Sequence, residues 1–228
     1  QGRGVDISSQ RMDELDQASI THIQHLNHEG NSPVQVIDLG GGFGVHSIRM
    51  AQAGAQVTFI DVDCNTARAK FEAAATEGLI PSDSITLHEI DFKDIRKNIL
   101  PPACSILYSQ RALHYIRYDE AQTLLTTLFN TMTWEGKLFL SVAGYDTEYG
   151  LTFPDRDKPI QNRYSMVTTD MQEKHGILHP IVTYTENELH DLVDSVGFTV
   201  DSLTSSHFGN IKLIARKRNL PIPPSSAI

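Results

Sequence analysis

A glycine-rich turn that follows an apolar strand constrains this sequence more than any other feature. The strand covers residues 34–39, and its β-branched and apolar side chains suit the centre of a parallel sheet that is covered on both faces. Gly40, Gly42 and Gly44 follow at alternate positions, where the missing Cβ permits a tight turn and lets a ligand approach the backbone. The helical pattern from Val45 to Ala53 places free N–H groups of a helix N-terminus beside that turn. The stretch therefore predicts the floor of a nucleotide-like cofactor site.

The spacing of the glycines distinguishes between two kinds of cofactor. The dinucleotide-binding pattern G-x-G-x-x-G needs its third glycine at position 45, which is Val45. The observed pattern is Asp38-x-Gly40-x-Gly42-x-Gly44. It resembles the first motif of the class I S-adenosylmethionine-dependent methyltransferases, an acidic residue followed by G-x-G-x-G at the end of the first strand. The resemblance implies S-adenosylmethionine as the cofactor and these four residues as part of its site.

Acidic residues also end the next two predicted strands. Asp61 closes the strand at residues 56–60, where a carboxylate can accept both ribose hydroxyls of an adenosine, and Val62 adjoins it. A cap for the helix that follows is the alternative role for Asp61. After the third strand, the resemblance implies that Asp91 faces the adenine amino group and that the backbone of Phe92 reaches a ring nitrogen. A turn-forming aspartate is the alternative there.

The segment after the fourth predicted strand is the place to look for chemistry, because ligands of open α/β sheets bind where the strand order reverses. We assign Ser109 at the strand end to the cofactor site and Arg111 to substrate binding. His114 is the candidate general base, and Tyr115 orients the substrate or contacts the sulfonium. A structural role is the alternative for this histidine, as for most of the ten in the chain.

Two motifs of the family are absent from this segment. The Asn/Asp-Pro-Pro-Tyr sequence of members that methylate exocyclic amines of nucleobases does not occur, and Ser109-Gln110 supplies none of the metal-binding acids of catechol-type members. The resemblance therefore implies a metal-independent enzyme, and we expect no metal site.

A long segment at about residues 146–182 lacks periodicity, because prolines and glycines interrupt it. A connection of this length inside a compact domain is usually a functional insert or a disordered segment. We interpret it as a lid or substrate-recognition insert, with Arg163, Tyr164, His175 and His179 as candidate contacts to a polar substrate group. A solvated, charged loop is the alternative. Tyr145, just before the insert, is a further substrate-binding candidate that orients the substrate or lines the sulfonium by cation–π contact.

The whole pattern predicts an α/β fold: a Rossmann-like three-layer sandwich with a seven-stranded, mostly parallel sheet and an antiparallel C-terminal hairpin strand. We expect residues 1–228 to form a single methyltransferase domain, and the resemblance covers residues 34–217. The other predicted elements, in chain order, are an N-terminal helix at 9–26 capped by Ser9, a helix at 119–132, a strand at 137–142, a helix between the capping-box residue Thr185 and Gly197, and strands at 198–203 and 211–215.

Composition argues against several classes of partner. The formal net charge of −9 opposes electrostatic attraction to nucleic acid. No apolar run approaches the roughly 20 residues that span a bilayer, so no membrane partner is expected. Cys64 and Cys104 offer no disulfide framework, which fits a reducing compartment and predicts a cytoplasmic location. The oligomeric state is left open.

These features together favour an S-adenosylmethionine-dependent methyltransferase that acts on a small polar metabolite by metal-independent, in-line displacement. The methyl group of a sulfonium is already activated, so the protein would contribute mainly alignment and the exclusion of water. A methyltransferase that acts on protein or RNA, or a non-catalytic S-adenosylmethionine-binding protein, is the alternative.

Overall fold

Seven strands form one continuous sheet in the computed structural model, in which residues 12–30 and 33–218 are described. The strands are β1 (Val34–Leu39), β2 (Ala55–Asp61), β3 (Ile85–Glu89), β4 (Cys104–Gln110), β5 (Met132–Val142), β6 (Phe198–Ser205) and β7 (Ile211–Lys217). Their order is β3-β2-β1-β4-β5-β7-β6, and β7 runs antiparallel to both of its neighbours, whereas β1 to β5 pair in parallel. This arrangement confirms the predicted fold, and it places the reversal of strand order between β1 and β4.

Helices cover both faces of the sheet. They are α1 (Glu14–His28), α2 (Val45–Gln52), α3 (Asn65–Thr76), α4 (Tyr118–Phe129), α5 (Glu148–Leu151), α6 (Thr169–His175) and α7 (Glu186–Val196). Ile37 of β1 packs in the core that includes Leu124 of α4 and Leu192 of α7, while the adjacent Val36 packs in the core that includes Met50 of α2. Neighbouring residues thus face opposite layers, as strand geometry requires. None of the described helices is long and apolar enough to cross a bilayer.

Two predicted helix boundaries are wrong. The first helix begins at Glu14 and is capped by Asp13, whose carboxylate accepts two backbone N–H groups of the first turn. The predicted cap, Ser9, lies outside the described residues. The helix predicted to reach Met132 ends at Phe129, because Met132 already pairs with β4 as the first residue of β5. An apolar residue at that spacing suits either a helix or a buried strand.

The predicted insert at 146–182 contains two short helices and has an apolar cluster of its own. Phe153, Val167 and Ile177 are buried in this cluster together with Ala143, which follows β5. The insert is therefore packed against the carboxyl edge of the sheet. Its role as a lid or substrate-recognition element stays a prediction.

A saturated ion pair ties the insert to α7. Arg163 is 5% exposed, and its guanidinium donates to both carboxylate oxygens of Glu188 at 2.8 and 3.0 Å. Its remaining N–H groups donate to the carbonyl oxygens of Lys158 and Thr183. All five donors of the guanidinium are thus used within the protein. The hydrogen bonds of Arg163 hold the insert in place, and its predicted contact with a substrate stays a prediction.

We expect Arg163→Gln to lower the free energy of unfolding by about 3 kcal/mol, because it leaves the partly buried Glu188 carboxylate without its counter-charge. Chemical denaturation measures the change. Arg68→Gln is the matched control, since Arg68 forms an exposed pair with Glu89 at 3.8 Å and its loss should cost less than about 1 kcal/mol. Equal losses in the two variants would contradict an anchoring role for Arg163.

Candidate functional site

The glycine turn closes against the segment that follows β4. Gly40 has a φ of +71°, and a Cβ at this position would lie only 2.2 Å from the Cβ of Ala112. Gly42 and Gly44 have φ values of 58° and 75°, and Gly44 caps α2. All three glycines therefore adopt backbone conformations that a side chain would strain, as the spacing predicted. At Gly40 the neighbouring chain also leaves no space for a side chain.

Asp61 lies at the tip of β2 and faces the glycine turn. Its Oδ2 accepts the Gly42 N–H at 2.9 Å, and its Oδ1 accepts the Asp63 N–H at 3.2 Å. Burial raises the pKa of this carboxyl, and the N–H donors only partly offset that effect. A carboxylate with two such donors still has lone pairs for ribose hydroxyls. The half-buried Val62 follows Asp61 directly. At the start of α3 the Asn65 N–H donates to Asp63, so this hydrogen bond of the helix N-terminus is made by Asp63 and not by Asp61.

Two residues predicted to bind the cofactor lie beneath the turn. Asp38 is 1% exposed, and its Oδ2 accepts the hydroxyl of Ser47 in α2. Ser109 is buried to the same degree, and its hydroxyl donates to the Leu39 carbonyl oxygen at 2.9 Å. Asp38 thus holds α2 to β1, and Ser109 holds β4 to β1. Both residues thus support the turn, and their contact with the cofactor stays a prediction.

Asp91 and Phe92 border the same turn from the side of β3. The half-buried Asp91 carboxylate accepts the Lys93 backbone N–H at 3.2 Å. The ring of Phe92 reaches to 3.1 Å from the position that a Gly40 Cβ would take. Both residues are thus next to the glycine turn. Their adenine-binding role stays a prediction.

His114 lies in a short turn after β4 and is 3% exposed. Its Nδ1 accepts the Ala143 backbone N–H at 3.2 Å, so the neutral ring carries its proton on Nε2. Burial, together with the charge of Arg111, lowers the pKa of His114 to about 3. A ring with so low a pKa is a weak base at neutral pH. In this structure the neutral ring offers a hydrogen-bond donor, and the general-base role of His114 stays a prediction.

Arg111 and Tyr115 flank this histidine. Arg111 has a φ of 53°, which is uncommon for a residue with a side chain, and its backbone N–H donates to the Ser141 carbonyl oxygen at 2.8 Å. The ring of Tyr115 lies 4.6 Å from that of His114, centroid to centroid. The structure thus brings three predicted residues into one group beyond β4. Their contacts with a substrate stay a prediction.

Tyr145 is already engaged by two cations of the protein. The guanidinium carbons of Arg156 and Arg163 lie 3.5 and 5.1 Å from the centre of its ring. Its hydroxyl donates to the Arg156 carbonyl oxygen at 3.1 Å. A further cation on this ring would be repelled by the guanidinium groups. Tyr145 thus helps to fix the insert, and its predicted contact with the sulfonium or a substrate stays a prediction.

Tyr115 and His179, predicted from separate parts of the chain, line one cavity of about 240 Å³. Sequence reasoning did not find the two cationic residues that share it, Lys93 and Arg117, because only their positions after β3 and before α4 distinguish them. The other lining residues are Ile116, Glu120, Tyr164 and Pro180.

Buried polar contacts attach α1 to the end of β4, and sequence reasoning missed them. Asp16 is fully buried, accepts the hydroxyl of Tyr108, and lies 3.6 Å from Nδ1 of His46. The Gln110 side chain donates to Asp13 at 2.8 Å. The spacing of Asp13 and Asp16, which form a capping box, was the only available signal. Helix α1 therefore packs on the sheet while its N-terminus lies at the β4 tip.

Comparisons with known proteins identify the fold. A scan against protein-family models gives no match, and a search of curated proteins gives none either. Solved structures do match, with a shared fold at low identity. A 1,6-didemethyltoxoflavin-N1-methyltransferase of Burkholderia thailandensis, bound to 1,6-didemethyltoxoflavin and S-adenosylhomocysteine, has a TM-score of 0.62 at 16% identity, over 90% of this chain and 79% of its own.

Two further structures give the same result. The magnesium protoporphyrin IX methyltransferase of Synechocystis, with bound S-adenosylhomocysteine, has a TM-score of 0.59 at 21% identity, over 94% of this chain and 88% of its own. An S-adenosylmethionine-dependent methyltransferase of Methanosarcina mazei has a TM-score of 0.63 at 18% identity, over 86% and 98%. The chain has the fold of the class I S-adenosylmethionine-dependent methyltransferases.

No group of three or more His, Cys, Asp or Glu side chains within residues 12–30 and 33–218 is arranged to hold a metal ion. The metal-independent mechanism stays a prediction. Cys64 and Cys104 are both buried free thiols, and burial raises the pKa of the first to about 11 and that of the second to about 12.

Substituting Gly40 tests the contact between the glycine turn and Ala112. Gly78 is the matched control, because its φ of +70° equals that of Gly40 within a degree while nothing lies within 4 Å of its Cβ position. We expect Gly78→Ala to cost about 1–2 kcal/mol of stability through its backbone alone. Gly40→Ala should cost clearly more, because Ala112 must also move. Chemical denaturation gives both values, and equal losses would show that the contact is not limiting.

The buried state of His114 predicts a pH effect. The pKa of His114 in the folded protein, about 3, lies below the ordinary value of 6.5. The neutral ring therefore makes its full contribution to stability above pH 6.5, and that contribution is lost as the pH falls from 6.5 towards 3. His114→Asn keeps an acceptor for the Ala143 N–H. Between pH 7 and pH 5 we expect the free energy of unfolding of this variant to fall by about 2 kcal/mol less than that of the wild type. Denaturation at the two pH values measures this difference. Identical losses would show that the folded protein accepts the proton at His114.

Proposed function

We propose that the protein binds S-adenosylmethionine at the glycine turn and transfers its methyl group to a small polar molecule. The observation that carries the proposal is the hydrogen bond from the Gly42 N–H to the Asp61 carboxylate. This bond holds the partly exposed Asp61 carboxylate beside the glycine turn. The turn follows β1, next to the point between β1 and β4 where the strand order reverses. Such an edge suits the ribose of a nucleoside cofactor.

The residues at this edge fit the cofactor as a whole. Gly40 lets the turn close against Ala112 and Phe92, Asp61 would accept the ribose hydroxyls, and Asp91 with Phe92 would border the base. The N-terminus of α2 after Gly44 offers N–H groups to a carboxylate. When bound, S-adenosylmethionine supplies a methyl group on a positively charged sulfur, which needs no further activation.

The similar structures support a small-molecule acceptor. One contains 1,6-didemethyltoxoflavin, and another is named for magnesium protoporphyrin IX. The formal charge of −9 on this chain agrees with a small metabolite better than with a nucleic acid. An acceptor that binds between the sheet edge and the insert would be shielded from water at the reacting atoms.

The residues after β4 limit how the acceptor can react. His114 is neutral with its Nδ1 already bonded, so it can orient an acceptor oxygen or nitrogen through Nε2–H but takes up no proton. Arg111 adds a positive charge next to it. The acceptor must therefore attack as a neutral amine or an ionised group, or release its proton to solvent. The main contribution of the protein is then alignment.

Calorimetric titration with S-adenosylhomocysteine tests the cofactor site. We expect saturable binding by the wild type and a loss of about 10- to 100-fold in affinity for Asp61→Asn, since hydrogen bonds to a charged carboxylate are removed. Asp63→Asn is the control, because Asp63 lies two residues past the strand tip and bonds to Asn65; this variant should bind nearly as well as the wild type.

Two results would contradict the proposal. Absence of binding by both S-adenosylmethionine and S-adenosylhomocysteine, with NAD as the comparison ligand, would exclude this cofactor. Unchanged affinity in Asp61→Asn would place the ribose elsewhere. Formation of S-adenosylhomocysteine in the presence of small polar acceptors then separates an enzyme from a protein that only binds the cofactor.

A further inference from the structure

A cavity of about 240 Å³ lies between the turn after β3, the start of α4 and the insert. We propose that this cavity, here called the acceptor pocket, receives a planar ring that bears a carboxylate, as one end of the methyl acceptor. Only the identification of the ligand as the methyl acceptor rests on the proposed function. The chemistry of the pocket itself does not depend on the cofactor.

The charges that line the pocket favour an anion. Lys93, Arg117 and His179 reach it from three separate segments, and the Lys93 and Arg117 side chains are exposed at its rim. Glu120 is the acidic residue among those that line the pocket, and its Oε2 accepts the Arg117 backbone N–H at 2.9 Å. The Lys93 ammonium lies 3.9 Å from a carboxylate oxygen of Asp91, so Arg117 is the stronger of the two cations for binding an anion. An arginine fork matches the planar geometry of a carboxylate better than that of a neutral group.

Two tyrosines give the pocket aromatic walls. The hydroxyl of Tyr164 donates to the Tyr115 carbonyl oxygen at 3.2 Å, which fixes the insert ring against the segment after β4. The guanidinium carbon of Arg117 lies 4.8 Å from the centre of the Tyr164 ring. The guanidinium therefore covers one face of the Tyr164 ring. A ligand ring that packs against the edge of Tyr164 would place an attached carboxylate next to Arg117.

The size of the pocket restricts what it can hold. Its volume of about 240 Å³ is below the roughly 300–1,000 Å³ of sites that enclose a whole drug-sized ligand. It suits one ring with one substituent. Because Tyr115 also adjoins His114, the rest of such a ligand would extend towards the group beyond β4.

Fluorine NMR with para-fluorobenzoate and its neutral analogue para-fluorobenzamide tests the pocket directly. We expect saturable binding of the benzoate to the full chain and binding of the amide that is about tenfold weaker, since the amide lacks the charge. Arg117→Gln should weaken benzoate binding about tenfold. Lys93→Gln should weaken it to a smaller extent, and Arg68→Gln, on the exposed face of α3, should leave it unchanged.

The cofactor site provides the second arm of the experiment. Benzoate should still bind when the protein is saturated with S-adenosylhomocysteine, and Arg117→Gln should retain its affinity for S-adenosylhomocysteine, which also verifies that the variant is folded. Equal binding of benzoate and benzamide, unchanged binding by Arg117→Gln, or displacement of benzoate by S-adenosylhomocysteine would each overturn the inference. Benzoate binding through Arg117 in a protein that does not bind S-adenosylhomocysteine would leave the pocket intact and refute the proposed function.

Discussion

The contact between Gly40 and Ala112 determines how closely the tips of β1 and β4 can approach each other. A side chain at position 40 would overlap with the Cβ of Ala112, so the turn after β1 and the segment after β4 meet only because one of them is glycine. The hydroxyl of Ser109 then joins the two strands at the same level by bonding to the Leu39 carbonyl oxygen. The cleft at the switch point is therefore built from main chain, and side chains enter it from its sides.

That close approach decides which polar groups are buried. Asp38 lies under the turn and bonds to Ser47, and His114 lies under the neighbouring segment and accepts the Ala143 N–H. A buried polar group is tolerated when it has a partner, and a buried imidazole remains neutral when its surroundings cannot stabilise a charge. Asp61 differs from both, because it remains partly exposed after its bonds to Gly42 and Asp63. The carboxylate that can meet a ligand is the one at the rim.

The sequence predicts those features that depend on local chemistry. The glycine turn, the strand tip at Asp61 and the helix after Thr185 each follow from residues within a few positions of one another, and the structure has all three. The contacts that Arg163, Tyr145 and His114 make within the protein could not be predicted, because their partners are distant in sequence. The residues near Arg163 in the sequence do not indicate that its guanidinium pairs with Glu188, which lies 25 positions away. Residue type alone therefore identified side chains that could bind or react, but not which of them already have hydrogen-bond or ion-pair partners within the fold.

The two parts of the site consequently obey different constraints. The cofactor edge is built on β1, β2 and β4, whose registers are set by the sheet, so its geometry depends on a few backbone contacts. The acceptor pocket combines residues from a loop, a helix start and the insert, and the insert is held in place by Arg163 and Tyr145 through contacts that involve no ligand. Loops that are fixed by their own contacts can change their lining residues without disturbing the sheet. On the proposed assignment, a change of acceptor would require substitutions at positions such as Lys93, Arg117 and His179, while Gly40, Gly42 and Asp61 would stay as they are.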